Sequence, residues 1–262
     1  MTIPPQAEAS QWIEPAVPVP PAGNAWAFFP SIYCITLKTR ADRLAAAREE
    51  FNRIGLGNRV TFFLAEKHPI DSEQGIYESH LACLRAGLAA GHGPIVVFED
   101  DVQFRHFSPK TLAGAVDFLK ADLSWQAFFL GCYVRSSEST DRPAVRSIRY
   151  KCTAHAYVVT HELAEKIVGL PWAGVAYDDL LRDLDTGRYF MICPAFAFQS
   201  GSATDNDKQL KVDRLRRLFG GMYFSQRWDE FSHRRWRSMI VMHILSILLI
   251  AGILLAIFKP WR

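Results

Sequence analysis

The sequence predicts a layered α/β domain of Rossmann type with a mainly parallel sheet, followed by a C-terminal transmembrane helix. Three observations lead there. Short β-branched and aromatic runs alternate with helix-period segments between residues 31 and 205, the pattern of an α/β sheet. Hydrophobic residues make up 49% of the 262-residue chain and charged residues 22%, enough apolar material for one sizeable core. Met239 to Phe258, MIVMHILSILLIAGILLAIF, carries no formal charge, and a helix of that length spans about 30 Å, the thickness of a bilayer core.

In chain order, residues 1–30 hold seven of the fourteen prolines and lack the basic start and apolar region of a secretory signal, so a mobile polyproline-rich arm is expected. SIYCITL (31–37) reads as the first strand of a domain running from 31 to 205. Leu44, Ala47, Phe51 and Ile54 then share a helix face, with Thr39 and Asp42 as a capping box before it and Gly55 and Gly57 after it. VTFFLA (60–65) is a second strand, Leu81, Leu84 and Leu88 mark a helix closed by Gly91 and Gly93, and IVVF (95–98) is a buried strand. Ser108 and Pro109 suit the N-cap and first turn of a helix reaching about Lys120. Strands are expected again at 127–131, 154–160 and 189–193, and helices near 161–169 and 176–186. No internal repeat is present.

The net charge of +3 is too small to argue for nucleic acid, and five scattered cysteines without a CxxC pair read as reduced core residues. Residues 206–238 are different: between 208 and 237 nine Lys/Arg face three acids, interleaved with aromatic and aliphatic side chains. That composition suits a juxtamembrane segment on anionic lipid headgroups. Four arginines (227, 234, 235, 237) precede the expected span over 239–258, and only Lys259 and Arg262 follow it. The positive-inside rule then predicts a single-pass C-terminal anchor in the inner membrane with the main domain in the cytoplasm.

The chemistry concentrates in IVVFEDDVQF (95–104), where a buried strand ends on Glu99, Asp100 and Asp101. At an effective dielectric near 20, two like charges about 5.5 Å apart repel by roughly 3 kcal/mol, so such a triplet calls for a counter-charge. In an extended chain Glu99 and Asp101 point to one side and Asp100 to the other, which suits a magnesium or manganese ion bound to a substrate diphosphate. The alternative is an acidic strand terminus in solvent or against a helix end. No Gly-rich phosphate loop and no GxSxG elbow occur, and HELAE (161–165) lacks the second histidine of a zinc protease.

Over residues 31–200 a series of short motifs resembles glycosyltransferase family 25, which includes lipooligosaccharide and collagen galactosyltransferases. They are IYCITLKTRADR (32–43), QGIYESHLACLRAGL (74–88), IVVFEDDV (95–102), TAHAYVVTHELAEKIV (153–168), YDDLL (177–181) and CPAFAFQS (193–200). The resemblance implies a GT-A fold, a nucleotide-sugar donor such as a UDP-hexose, and a divalent metal, manganese or magnesium, on Glu99 and Asp101. It further implies donor contacts from Leu37, Arg40, Arg43, His80, Asp100 and Gln199. Inverting transfer needs a base for the acceptor hydroxyl, and Asp178, then Asp179, match the family's late aspartate. Ser79 and His80 also read as a helix cap and a packed histidine, and His155 as a core residue. IYE (76–78) and the short stretch EKHPIDSEQG (66–75) depart from the family pattern on the acceptor side. The expected activity is hexosyl transfer to a membrane-associated glycolipid or saccharide. A silent nucleotide-sugar-binding module and a metal-dependent phosphohydrolase are the rival readings.

Overall fold

The computed structural model describes residues 11–14, 24–91, 93–200 and 221–257. Among these, eleven strands and seven α-helices are formed: β1 (Trp12–Ile13), β2 (Ser31–Leu37), α1 (Ala41–Arg53), β3 (Thr61–Ala65), α2 (Ser72–Ala90), β4 (Ile95–Glu99), β5 (Val102–Phe104), α3 (Pro109–Ala121), β6 (Ala127–Phe129), β7 (Tyr133–Ser139), β8 (Val145–Cys152), β9 (Ala156–Val159), α4 (His161–Val168), α5 (Tyr177–Asp183), β10 (Tyr189–Ile192), β11 (Ala197–Gln199), α6 (Gly221–Arg234) and α7 (Trp236–Ile257). Nine strands make one sheet in the order β1-β3-β2-β4-β9-β6-β10-β8-β7, and β5 pairs with β11 apart from it.

The sheet is mixed, which corrects the expectation of a mainly parallel one. Only β2–β3, β2–β4 and β6–β10 pair parallel among the described strands. β9 runs antiparallel between β4 and β6, and the β7–β8 hairpin extends the far edge antiparallel to β10. Strand direction is invisible to composition, and β7 (YVRSSES) is too polar to read as a strand at all.

Helices cover both faces. On one, Ala47 and Phe51 of α1 and Leu112 and Val116 of α3 pack on Phe98 and Phe128; on the other, Leu81 and Leu84 of α2, Leu163 and Ile167 of α4 and Leu181 of α5 pack on Val97 and Phe129. The chain moves from β2 to β3 on one side and to β4 on the other, so the strand order reverses at β2. A crevice forms beyond the carboxyl ends of strands at such a point.

The caps were read with mixed success. Ser108 Oγ accepts the Thr111 N–H at 3.2 Å, and Asp71 caps α2 by accepting from Glu73 N at 2.9 Å. No capping box starts α1; its N-cap is Arg40, whose guanidinium instead grips Asp42 at 2.8 and 2.9 Å. Parts of the expected arm belong to the fold. Trp12 packs edge-on against Tyr33 and tilted against Phe63 as β1 pairs with β3, and Trp26 is fully buried, its Nε1–H donating to the Ile54 carbonyl. Residues 1–10, 15–23 and 201–220 lie outside the described residues.

Two expectations at the C-terminus are corrected. Residues 221–234, predicted to lie on lipid, pack on the domain: Met222, Gln226 and Glu230 are buried, Gln226 Nε2–H donates to the Ala197 carbonyl, and Asp229 accepts from Val134 N. The expected transmembrane helix over 239–258 is also overturned, because among the described residues no helix is long and apolar enough to cross a membrane. The predicted single-pass inner-membrane localisation, which rested on that span, falls with it.

Candidate active site

The crevice at the reversal of strand order holds a cavity of ≈ 550 Å³. Its walls are the ends of β2, β3 and β4, the first turns of α2 and α5, the Cys152–Ala154 segment and Gln199 of β11. Leu37, Arg43, His80, Glu99, Asp100, Asp101, Asp178, Asp179 and Gln199 all border it, so nine of the ten residues singled out in the sequence converge on one space. Arg40 does not border it, being turned onto Asp42 at the surface.

The acidic triplet is not extended as expected. β4 ends at Glu99 and the chain turns through Asp100 and Asp101 before β5, so side-to-side alternation does not apply and all three carboxylates face the cavity. Their environments differ. Asp100 is 8% exposed and is tied down, accepting from Thr36 Oγ1 at 2.6 Å and from the Arg43 guanidinium at 3.1 Å. Glu99 is more open, accepts a hydrogen bond from Gln199, and is pushed up to about 8 by burial and by the charges of Asp178 and Asp100. Asp101 is raised well above the carboxylate range by burial and by Glu99, and its Oδ1 is buried without a hydrogen-bond partner.

Asp178 faces this group from α5. Its Oδ1 accepts the Ala154 N–H at 2.8 Å and the Tyr150 O–H at 3.1 Å, and among the described residues its Oδ2 accepts only the Thr153 N–H at 2.9 Å. Thr153 is in the left-handed region at φ 77°, a strained conformation for a β-branched residue that turns two successive N–H groups onto one carboxylate. Burial still raises Asp178 in spite of these donors. Asp179 is half-exposed and ion-paired to Arg182. His80 lies under the floor, 1% exposed, and burial depresses it to about 3, so it is neutral. His155 is a core residue, as expected.

Two fixed, raised carboxylates and one unpartnered carboxylate oxygen fit a hard divalent cation, which would relieve the repulsion that the protein leaves uncompensated. Protein ligands alone do not complete such a site: among the described residues no group of three His, Cys, Asp or Glu is placed to hold a metal ion. The sequence reading missed Thr36, Thr153, Tyr157 and the Glu66–His68 segment. The last follows β3 and could have been found from the rule that strand carboxyl ends carry ligands; the others depend on tertiary contacts.

No family model and no curated protein matches the chain. Among solved structures, A197 from STIV aligns with 64% of this chain and 84% of its own at 10% identity and a TM-score of 0.43. UDP-glucose pyrophosphorylase complexed with UDP-glucose aligns over 71% and 80% at 13% identity and 0.39. A glycosyltransferase involved in glycosylation of the major capsid of PBCV-1 aligns over 71% and 98% at 11% identity and 0.39. Likenesses this distant carry no argument about activity, which rests on the residues of the cavity.

Proposed function

We propose that the chain is a metal-dependent transferase acting on a nucleotide sugar, and more narrowly a hexosyltransferase of the family-25 kind, moving a hexose from a UDP-sugar to a saccharide or glycolipid hydroxyl. The observation that carries the reading is the convergence of Glu99, Asp101 and Asp178 on one cavity, all three raised by burial and the first two also by neighbouring carboxylates, with an Asp101 oxygen left unpartnered. Glu99 and Asp101 would hold manganese or magnesium, with a diphosphate and water completing its coordination; bound there, the ion supplies charge neutralisation for the departing nucleoside diphosphate.

The remaining roles belong to the chain itself. Arg43, fixed by Asp100, offers its guanidinium to the donor, and Leu37 supplies apolar surface at the end of β2. Asp178 is the favoured base, because its Oδ2 carries one donor and keeps a lone pair, whereas Asp179 is occupied by Arg182. In the transfer step the acceptor oxygen bonds to the anomeric carbon and the bond from that carbon to the phosphate oxygen breaks. The electron pair leaves with the diphosphate, and the hydroxyl proton passes to Asp178 Oδ2. A carboxyl raised toward neutrality is well matched to that proton transfer.

The test is a thermal-shift screen of nucleotide sugars with manganese, followed by donor hydrolysis and transfer assays of the wild type and Asp101→Asn. A stabilising donor and a manganese-dependent turnover lost in the variant are expected. Unchanged turnover in Asp101→Asn would overturn the metal assignment, and donor binding without turnover on any acceptor would overturn the enzyme reading.

A further inference from the structure

Beneath the cavity three polar groups are buried in single file. The Tyr177 hydroxyl stands 2.8 Å from the Tyr157 hydroxyl, Tyr157 stands 3.0 Å from His80 Nδ1, and His80 Nε2 stands 3.4 Å from Glu99 Oε1. The imidazole lies flat on the Tyr177 ring, with centroids 4.0 Å apart and planes 2° from parallel. Phenylalanines of the same shape would fill this volume without burying a hydroxyl or a ring nitrogen, and buried polar groups are costly unless fully partnered. Here each is partnered by the next, and the file ends at Glu99.

The order of donors follows from that end. When Glu99 carries its charge it can only accept, so Nε2 bears the hydrogen; Nδ1 then accepts from the Tyr157 O–H, and the Tyr157 oxygen accepts from the Tyr177 O–H. The stack on Tyr177 fixes the ring plane, and the Tyr157 hydroxyl holds Nδ1 in place. The 3.4 Å contact is longer than an ideal N–H···O bond, as is common before a site is loaded.

We propose that His80 is a positioning residue: held by the Tyr157–Tyr177 pair, it fixes the Glu99 carboxylate for cation binding and does not itself touch the donor. The proposal rests on the reading of Glu99 as a cation ligand given above. Groups that orient a metal ligand from behind typically matter by about 10- to 100-fold in metal affinity.

The experiment is manganese binding to the full-length protein, with and without UDP, read from the electron paramagnetic resonance signal of free Mn²⁺, with thermal unfolding as the check on folding. His80→Phe keeps the stacked ring and loses both nitrogens, and should weaken Mn²⁺ by about tenfold or more. His80→Gln keeps a donor toward Glu99 and should stay within about threefold. Tyr157→Phe, which removes only the hydroxyl that holds Nδ1, should fall between them. A folded His80→Phe with wild-type affinity overturns the proposal, and so does a His80→Gln loss as large as that of His80→Phe, because packing then accounts for the effect. Should His80→Phe not fold, Tyr157→Phe decides, and wild-type affinity in it overturns the proposal. A wild-type protein that binds no Mn²⁺ overturns the cation reading of the site as well; normal wild-type binding with unaffected variants overturns the role of His80 alone.

Discussion

The protein buries two acidic groups, and they are treated in opposite ways. On α6, Glu230 accepts from Ala195 N at 3.3 Å and from Arg227 at 2.8 Å, while Asp229 accepts from Val134 N at 3.0 Å and stands 3.7 Å from His233. At the end of β4, burial is joined by neighbouring carboxylates, Asp178 and Asp100 raising Glu99 and Glu99 and Asp100 raising Asp101, and an Asp101 oxygen has no donor among the described residues. Both groups are raised first by burial. The difference is in who supplies the positive partner. On α6 the protein supplies it and the carboxylates staple the helix to β7 and the Ala195 segment. At β4 the guanidinium of Arg43 is bound to Asp100 and no donor among the described residues reaches Asp101 Oδ1, which makes sense for a site that is completed by a ligand.

That contrast can be broken most sharply at Asp101. Asp101→Asn should lower manganese-dependent turnover by about 100-fold or more, and in metal-free protein it should raise the melting temperature, because a repelling charge is removed. A variant that is both active and less stable would make Asp101 a staple like Glu230. The converse substitution, Glu230→Ala, leaves a buried N–H without its acceptor and should cost about 1–3 kcal/mol in urea unfolding, with kcat unchanged.

The two arginines beside the cavity sharpen the same point on the cationic side. Arg43, held inside by Asp100, should raise the donor KM by about tenfold as Arg43→Lys, one charge-assisted hydrogen bond being lost. Arg40→Ala should leave KM within about twofold, since its guanidinium is spent on Asp42 outside the cavity. Equal effects would mean that the donor reaches further than the cavity wall.

The smallest expected effect is on pH dependence. Glu99 is raised from 4.5 to about 8, so between those values the folded state holds a proton that the unfolded state has lost, and stability falls as pH rises. His80 and His155, depressed from 6.5 to about 3 and about 4, act in the opposite sense, with stability rising toward pH 6.5. The opposing contributions overlap below pH 6.5, and above it the histidines add nothing further while Glu99, with Asp101 raised in the same sense, still lowers stability as pH rises. The melting temperature of metal-free protein should therefore decline by a few degrees between pH 6.5 and 8.5, and manganese should flatten the decline.

Much of this could be read from residues alone, and the reason is local. Period and caps placed β2, the end of α2, β4 and α3 to within a few residues, because apolar alternation, Ser108 at a helix start and Gly91 at φ 143° act over one or two turns of chain; the Asp71 cap that starts α2 was not read. The acidic triplet announced a site through repulsion that any local conformation would have to face. What the chain's order could not show is partner choice. That Asp100 goes to Thr36 and Arg43, that a strained Thr153 aims two N–H groups at Asp178, that His80 meets Glu99 from behind, and that α6 docks on β7 are contacts between residues from 19 to more than 90 positions apart. They depend on how the strands and helices are arranged in space, and strand order and direction are decided by packing of the whole sheet, which no local stretch encodes.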